Sequence, residues 1–469
     1  MVRVPDRDDP GLSLCELARL LEARAISPVE VSEAVLRRIT RLNPAVGAFL
    51  SVFDRAPDHA RALERARARR GRVGPLYGVP ISLKDLVLTR DAPTTAGSRT
   101  FGQGVESSSD APVARRLRRA GAILIGKTNL HEIAMGVTNE NEHFGPARNP
   151  WDLARVAGGS SGGSAVAVAL GLGAASVGTD TRGSIRIPAA CCGITGLKPT
   201  RGLVPTDMVI PLSWTLDHVG PMGRSVEDVA LLLGVMAGSR GAVERYRGAL
   251  HAPVDGLTLG ICDYYFDDLD PAVDRAVRDA IGVLERIGLA TRHVAIPELA
   301  AVHRASTTIT LAEALAYHDA RLKSHPEGFG RSIRTRLEPG RALTALDLVR
   351  AERVRRAAEG AFAHVFREVD CLIAPTLPAL PPPIGARAAV IADREVPTVD
   401  TFTRLNSPQN MAGVPAISVP CGLSPDGLPI GLQLIGSFGR DERALAVAAA
   451  YQRETDWHLR RPADPHSSG

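Results

Sequence analysis

The stretch that decides the fold class lies between residues 78 and 127 and contains GVPISLKD (78–85), APVARRLRRAG (111–121) and AILIGK (122–127). The first and third segments are short apolar runs of the kind that form buried strands, and the middle segment has the pattern of a helix. Strands that alternate with helices predict an α/β protein with a largely parallel or mixed sheet.

The segments on either side extend this pattern. SLCELARLLEARA (13–25) and SPVEVSEAVLRRITRLNP (27–44) carry apolar residues at helical spacing, and the second begins with a Ser-Pro helix start. Residues 225–370 again show helical patterns and short strands, and further strands with a helix follow to about residue 457. No linker or internal repeat interrupts the chain, which favours one large domain.

Composition excludes several classes of function. The 469 residues are 45% hydrophobic and carry a net charge of +5, with basic and acidic residues intermixed as on solvated helix faces. No aromatic and basic platform accompanies them, so we expect no nucleic-acid partner. The chain shows neither a signal peptide nor an apolar run of membrane-spanning length, which predicts a cytoplasmic protein with no membrane partner. His131–Glu132 lacks the second histidine of a zinc helix, so we expect no metal and no cofactor.

Lysine is rare among the 56 basic residues, and only Lys84, Lys127, Lys198 and Lys323 occur. A lysine in a chain that prefers arginine can serve where a proton must be lost. Lys84 ends an apolar strand, where burial disfavours the ammonium form, and a neutral amine can act as a general base. An ion pair with Asp85 is the structural alternative for Lys84.

Two further segments concentrate glycine and serine. GGSSGGS (158–164) contains the G-x-S-x-G pattern of a nucleophile elbow, but NPWDLARVA (149–157) before it is not the strand that an elbow requires. The segment also lacks the Lys-Ser/Thr of a nucleotide-binding P-loop. GTDTRGSIRIPAACCG (178–193) holds Ser184 among small residues, whose backbone N–H groups can converge on an oxyanion.

Together these segments resemble the amidase signature family of serine hydrolases. The resemblance is carried, in this order, by GVPISLKDL (78–86), NPWDLARVAGGSSGGSAVAVA (149–169), GTDTRGSIRIPAACCGITGLKPTRGLVP (178–205), LDHVGPMGRSVEDVALLL (216–233) and NMAGVPAISVPCGLSPDGLPIGLQLIG (410–436). It implies an α/β amidase signature fold with a large mixed β-sheet core and helices on both faces.

The resemblance also implies one amidase domain over residues 1–469. Its expected parts are a helical N-terminal part at about 12–70, a signature core at about 76–232, a variable substrate-pocket part at about 235–400, and closing strands and a helix at about 410–457.

The catalytic residues implied by the resemblance are a Ser–cisSer–Lys triad. Lys84 matches the family's catalytic lysine, Ser160 the bridging serine on a cis peptide, and Ser184 the nucleophile. A serine hydroxyl needs a base to become a good nucleophile, and Ser160 would relay its proton to a neutral Lys84. Ser161 is expected to have a supporting role only, and no histidine need be catalytic.

The resemblance further implies an oxyanion hole of backbone N–H groups from Thr181, Arg182, Gly183 and Ser184. Family members often have glycine at position 182. The Arg182 side chain either points outward and pairs with a carboxylate, or lines the pocket and contacts a carbonyl or carboxylate of the substrate. The remaining candidate substrate contacts are Met135, Gly136, Gly159, Gln409 and Asn410.

The function implied is a stand-alone hydrolase of C–N acyl bonds in small linear amides or anilides, with carbamates and esters as further substrates, active as a monomer or homodimer. The alternative is the A subunit of tRNA-dependent amidotransferase, a glutaminase within a complex. Such subunits usually show GGSIRQPA and SSLDQIGP, where this chain has RGSIRIPA (182–189), with Ile187, and SWTLDHVGP (213–221). We therefore expect the stand-alone enzyme.

Overall fold

The structure, a computed structural model, describes residues 12–71 and 73–465. The two helices expected near the N-terminus are present, and each begins at a serine. Ser13 and Ser27 both accept a hydrogen bond from the backbone of a glutamate three residues later, whose side chain accepts one in return from the serine backbone. These capping boxes satisfy donors that a helix start leaves open, so local sequence fixes both helix starts.

Within the described residues the α-helices are α1 (Leu14–Glu22), α2 (Pro28–Val46), α3 (Ala56–Arg70), α4 (Pro112–Arg119), α5 (Gly162–Ala169), α6 (Arg186–Cys192), α7 (Val226–Ala237), α8 (Ala242–Ala249), α9 (Pro271–Arg286), α10 (Leu299–Ser324), α11 (Arg331–Leu337), α12 (Ala345–Val365), α13 (Thr398–Arg404), α14 (Ser407–Ala412) and α15 (Asp441–Arg453). The strands of the same ranges are β1 (Phe49–Val52), β2 (Pro80–Lys84), β3 (Ile123–Thr128), β4 (Ala175–Asp180), β5 (Thr195–Lys198), β6 (His218–Gly223), β7 (Thr258–Ile261), β8 (Ala290–His293), β9 (Cys371–Pro375), β10 (Ala388–Ile391), β11 (Arg394–Pro397), β12 (Ala416–Leu423) and β13 (Pro429–Ile435).

Eleven strands form one mixed sheet in the order β1-β3-β2-β4-β6-β5-β12-β13-β9-β7-β8, and β10 pairs with β11 separately. Strand β2 is parallel to both β3 and β4, whereas β12 is antiparallel to both β5 and β13. The predicted α/β fold with a large mixed sheet is therefore confirmed.

Helices cover both faces of the sheet, as β3 shows residue by residue. Ile123 and Ile125 pack in a core that includes α5 and α6, whereas Leu124 packs in a second core that includes α7 and α15. Successive side chains of a strand point to opposite faces, so a strand buried on both sides reads as one continuous apolar run. No helix in the described part of the chain combines the length and apolar composition needed to cross a membrane.

The parallel pairing of β2 with β4 positions the candidate site. In this pair Ile81 lies beside Ala175 and Leu83 beside Val177. Parallel strands end at the same edge of a sheet, so Lys84 at the end of β2 lies beside the turn that follows β4 and carries Ser184.

Candidate active site

Lys84 is fully buried at the end of β2 and bonds to two hydroxyl groups. Its Nζ lies 2.7 Å from Ser160 Oγ and 2.7 Å from Thr179 Oγ1. Within residues 12–71 and 73–465, no carboxylate oxygen lies within 4.0 Å of this nitrogen. Burial lowers the pKa of Lys84 to about 7, although the charges of Asp217 and Asp180 act to raise it. The amine is therefore neutral in part of the population at neutral pH.

The ion pair between Lys84 and Asp85, the structural alternative, is not formed. Asp85 accepts hydrogen bonds from the backbone and hydroxyl of Thr95, and its other oxygen lies 4.0 Å from Lys127 Nζ. Asp85 lies in the turn after β2, and its carboxylate is held by Thr95 and faces Lys127.

Ser160 lies just before α5, and its peptide bond with Gly159 is cis. A side chain at Gly159 would come within about 3.0 Å of the backbone at Val137 and Thr138, so this position is packed against backbone and has no room for a larger residue. Ser160 is fully buried and its carbonyl accepts the backbone N–H of His131. Gly159 thus shapes the segment that presents the Ser160 hydroxyl to Lys84.

Ser184 lies on the turn between β4 and α6 and is 6% exposed. Ser161 ties this turn to the other serine: its backbone N–H donates to the Ser184 carbonyl at 3.2 Å, and its hydroxyl donates to the Thr179 carbonyl at 3.1 Å. The structure therefore brings Lys84, Ser160 and the Ser184 turn into one buried group. The supporting role expected for Ser161 agrees with these contacts.

The oxyanion hole differs from the expectation at Gly183. Its N–H donates to Asp180 Oδ1 at 2.7 Å, because the Asp180 carboxylate lies beneath the turn and also accepts the N–H of Ile185. The N–H groups of Thr181, Arg182 and Ser184 have no acceptor among the described residues. Three of the four expected donors thus have no acceptor among the described residues.

Gln409 and Asn410, which the sequence predicts as substrate contacts, lie in a buried hydrogen-bond network beside Arg186. Both are fully buried and accept hydrogen bonds from the guanidinium of Arg186, at 3.2 Å and 2.6 Å respectively. Arg186 also makes a two-point ion pair with Asp180, with both nitrogen–oxygen distances 3.0 Å. Burial raises the pKa of Asp180, but the Arg186 charge and hydrogen bonds outweigh it and hold that pKa well below its usual range. The amides therefore satisfy a buried cation beneath the turn that carries Ser184.

The sequence reasoning missed two further acceptors of this cation. Gln433 Oε1 accepts from Arg186 at 2.6 Å, and the Asn406 carbonyl accepts at 3.0 Å. The available signal was the single arginine of RIPAACC (186–192), a run that is otherwise small and apolar, since a buried guanidinium needs several acceptors.

The Arg182 side chain donates to Thr403 Oγ1 at 3.1 Å and forms no ion pair within 4.0 Å in the described part of the chain. Its expected carboxylate partner is therefore replaced by a hydroxyl of α13. Burial lowers the pKa of Arg182 to about 10, although the charge of Asp400 acts to raise it.

Met135 and Gly136, two further candidate substrate contacts, directly follow Ala134 in the chain. The Met135 carbonyl accepts a hydrogen bond from Arg336 at 3.1 Å. A side chain on Gly136 would meet the His131 ring, whose Nε2 would lie 2.2 Å from the added carbon. Their neighbour Ala134 lines a cavity.

That cavity has a volume of about 160 Å³ and adjoins the Lys84 side of the site. Thr179, whose hydroxyl bonds to Lys84, and Thr181, at the start of the turn that carries Ser184, both line it. Asp217, also in the lining, accepts the Thr181 hydroxyl at 2.5 Å. Burial raises the pKa of Asp217 to about 6, although its hydrogen bonds lower it. No sequence motif indicated this cavity.

A mixed sheet that presents a buried lysine and two serine-bearing turns at one edge defines the class of protein. The family model described as Amidase matches residues 30–445, so the chain belongs to the amidase signature family, as the sequence resemblance predicted.

Relatives match over nearly their whole lengths. The A subunit of glutamyl-tRNA(Gln) amidotransferase from Methylococcus capsulatus (strain ATCC 33009 / NCIMB 11132 / Bath) is 39% identical over 96% of this chain and 98% of its own. A crystal structure of an amidase has a TM-score of 0.88 and 37% identity, over 94% of this chain and 99% of the other. The A subunit of glutamyl-tRNA(Gln) amidotransferase from Thermotoga maritima has a TM-score of 0.80 and 31% identity, over 97% and 98%. Amidase-type chemistry is thereby supported.

Proposed function

We propose that this chain hydrolyses C–N acyl bonds with Ser184 as nucleophile, Ser160 as proton relay and Lys84 as base. The observation that carries the proposal is the 2.7 Å contact between Lys84 Nζ and Ser160 Oγ in a site where no carboxylate of the described residues pairs with the lysine. A buried, unpaired lysine loses its proton near neutral pH, and it can then accept one from a hydroxyl.

The reaction proceeds through an ester with Ser184. The Ser184 hydroxyl attacks the acyl carbon while its proton passes through Ser160 to Lys84. The tetrahedral intermediate collapses, the proton returns through Ser160 to the leaving nitrogen, and the amine departs. Water then attacks the ester while its proton passes through Ser160 to Lys84. That proton returns through Ser160 to the Ser184 oxygen as the acid is released, which restores the Ser184 hydroxyl and the neutral lysine.

The oxyanion of the intermediate accepts hydrogen bonds from the N–H groups of Thr181, Arg182 and Ser184. These donors have no acceptor among the described residues, so they need not break a bond to receive the charge. The buried Arg186–Asp180 pair holds the turn in place through the N–H groups of Gly183 and Ile185, which keeps the free donors oriented before substrate arrives.

Two versions of this activity differ in the molecule whose amide bond is hydrolysed, which is glutamine in one and another small amide in the other. Full-length relatives that are named as the A subunit of an amidotransferase support a glutaminase that works with partner subunits, and they support it more directly than the stand-alone enzyme expected from the sequence. Arg182 and Ile187, which depart from the usual pattern of such subunits, support a stand-alone amidase, as does the likeness to the amidase crystal structure. Carbamates and esters are further substrates of the same chemistry.

Activity of the purified single chain tests the proposal and separates its two versions. Wild type and Ser184→Ala are assayed on L-glutamine, acetamide, acetanilide and phenyl carbamate, with product acid and amine both quantified. Hydrolysis by wild type and none by Ser184→Ala is the expected result. Glutamine as the preferred substrate favours the amidotransferase version, and equal rates for both proteins overturn the mechanism.

A further inference from the structure

We propose that the cavity beside Lys84 binds one uncharged aromatic or branched apolar group of the substrate, with Trp214 at its mouth. This inference rests on the proposed amide hydrolysis and favours its stand-alone version. The cavity adjoins the reacting groups, because Thr179 bonds to Lys84 and Thr181 supplies a free backbone N–H, and both residues line it.

The size of the cavity suits a single ring. Its volume is about 160 Å³, and an apolar cavity of about 150 Å³ in another protein stays dry and binds benzene. An acyl or amine group of that size, placed beside the scissile bond, would fill this space.

The walls are mostly apolar. The side chains that form them include Leu86, Val209, Ile210, Pro211, Leu212 and Val219. An apolar group gains free energy on transfer from water to such a surface, at roughly 25 cal/mol per Å² of buried area.

Two polar groups of the lining have partners within the protein, the Asp217 carboxylate and His218 Nδ1, whereas His218 Nε2 has none among the described residues. Asp217 accepts the Thr181 hydroxyl with one oxygen and the N–H groups of Leu212 and Ser213 with the other. His218 Nδ1 lies 2.7 Å from the Leu216 carbonyl, which can only accept, so this nitrogen carries the ring proton.

No lysine or arginine is among the described residues that line the cavity, and its single acidic group is Asp217. A carboxylate placed there would lose its hydration, meet no cation among the lining residues and lie near the Asp217 carboxylate. The lining therefore disfavours the α-carboxylate of glutamine and favours an uncharged group.

Trp214 lies at the mouth of the cavity. Its side chain lines the cavity and is 52% exposed, unusual for so large an apolar residue. A ring that enters the cavity can pack against the indole, which would cover apolar surface on both partners. Trp214 is thus the residue that we expect to set selectivity for ring-bearing substrates.

The test compares amides that carry a ring on the amine side (acetanilide), on the acyl side (benzamide) or on neither side (acetamide), together with L-glutamine. We expect wild type to prefer a ring-bearing amide, and the arm with the higher kcat/KM identifies which side of the substrate enters the cavity. Trp214→Ala and Val209→Phe, which fills the cavity, should each lower the ring-to-acetamide ratio of kcat/KM about tenfold or more. The matched control Phe438→Ala removes an aromatic side chain that is 57% exposed and outside the cavity lining, and should leave the ratio as in wild type.

Binding to Ser184→Ala, measured by calorimetry, separates failure of the cavity from failure of the chemistry. The ring-bearing amide should bind this inactive protein, and Trp214→Ala in the same background should weaken that binding about tenfold. Any of three results overturns the inference. The first is a ring-to-acetamide ratio of kcat/KM that neither cavity variant changes, the second is a preference of the wild type for glutamine, and the third is that neither ring-bearing amide binds. An inactive wild type that still binds the ring through Trp214 overturns only the proposed hydrolysis.

Discussion

The Nζ of Lys84 lies 2.7 Å from the Oγ of Ser160, and neither atom is exposed to solvent. A lysine in this position can take a proton from a serine only when it is neutral, and burial lowers its pKa to about 7. The activity should therefore be controlled by this one titration.

We predict that kcat/KM rises about tenfold per pH unit below pH 7 and levels off above about pH 7, because only the neutral amine is a base. Lys84→Met should lower kcat/KM by about 10²–10⁴-fold. The measurement is a pH–rate profile of each protein. Lys323→Met, at a side chain that is 66% exposed, is the control and should keep the wild-type profile. A wild-type rate that is flat from pH 5 to pH 9 would contradict the assignment of Lys84 as the base.

Chemical trapping should distinguish the roles of Ser184 and Ser160. An activated ester should form a covalent adduct at Ser184, visible as an increase in intact mass, and Ser184→Ala should form none. Ser160→Ala should still acylate, but about 10²–10⁴-fold more slowly, because the relay to Lys84 is lost. An adduct mapped by peptide sequencing to Ser160 would contradict these roles.

The guanidinium of Arg182 should act as a tether of the turn that carries Ser184, since it donates to Thr403 on α13. We predict that Arg182→Gly and Thr403→Val lower kcat by similar factors for acetamide and for a carboxylate-bearing amide such as succinamate. The measurement is kcat and KM for both substrates. An increase in KM for succinamate alone in Arg182→Gly would show that the side chain contacts substrate instead.

Removal of the Arg186 cation, which is buried beneath the turn that carries Ser184, should destabilise the fold. Arg186→Met leaves Asp180 buried and unpaired, which should lower the free energy of unfolding by about 3–5 kcal/mol. Urea denaturation followed by circular dichroism measures this change. Arg278→Met breaks an exposed ion pair with Asp274 and should cost less than about 1 kcal/mol. Similar costs for the two variants would show that the buried network does not stabilise the fold.

Acid should destabilise the protein through His318, which is fully buried and has no hydrogen-bond partner on either nitrogen among the described residues. Burial, with a smaller effect of the Arg321 charge, lowers the pKa of His318 from 6.5 to about 3. The unfolded chain then binds one more proton than the folded chain between these values, so stability falls as the pH decreases through this range.

His318→Leu should reduce the loss of unfolding free energy between pH 6.5 and pH 5 by about 2 kcal/mol. The measurement is urea denaturation of both proteins at each pH. His293→Leu, at a side chain that is 74% exposed, should leave the loss as in wild type. An unchanged pH dependence in His318→Leu would assign the acid sensitivity to other groups.

Local sequence patterns determined much of the architecture. The apolar run that ends at Lys84 forms β2, and the Ser27-Pro28 start begins α2. The ordered motifs around Lys84, Ser160 and Ser184 were sufficient to identify the family, since they specify which chemical groups the chain carries and in what order.

Tertiary structure alone decided which partner each group meets. Arg186 and Gln409 are 223 residues apart in sequence yet bond directly, so no local pattern could assign Gln409 to the cation instead of the substrate. Likewise, Asp180 accepts a hydrogen bond from the N–H of Gly183 only because the turn folds back over the Asp180 carboxylate. Helix and strand formation depends on neighbouring residues, whereas hydrogen-bond partners and cavity walls depend on contacts between distant segments. The sequence by itself therefore indicated the proposed catalytic groups. The packing of distant segments around them decided their hydrogen-bond partners and the walls of the cavity.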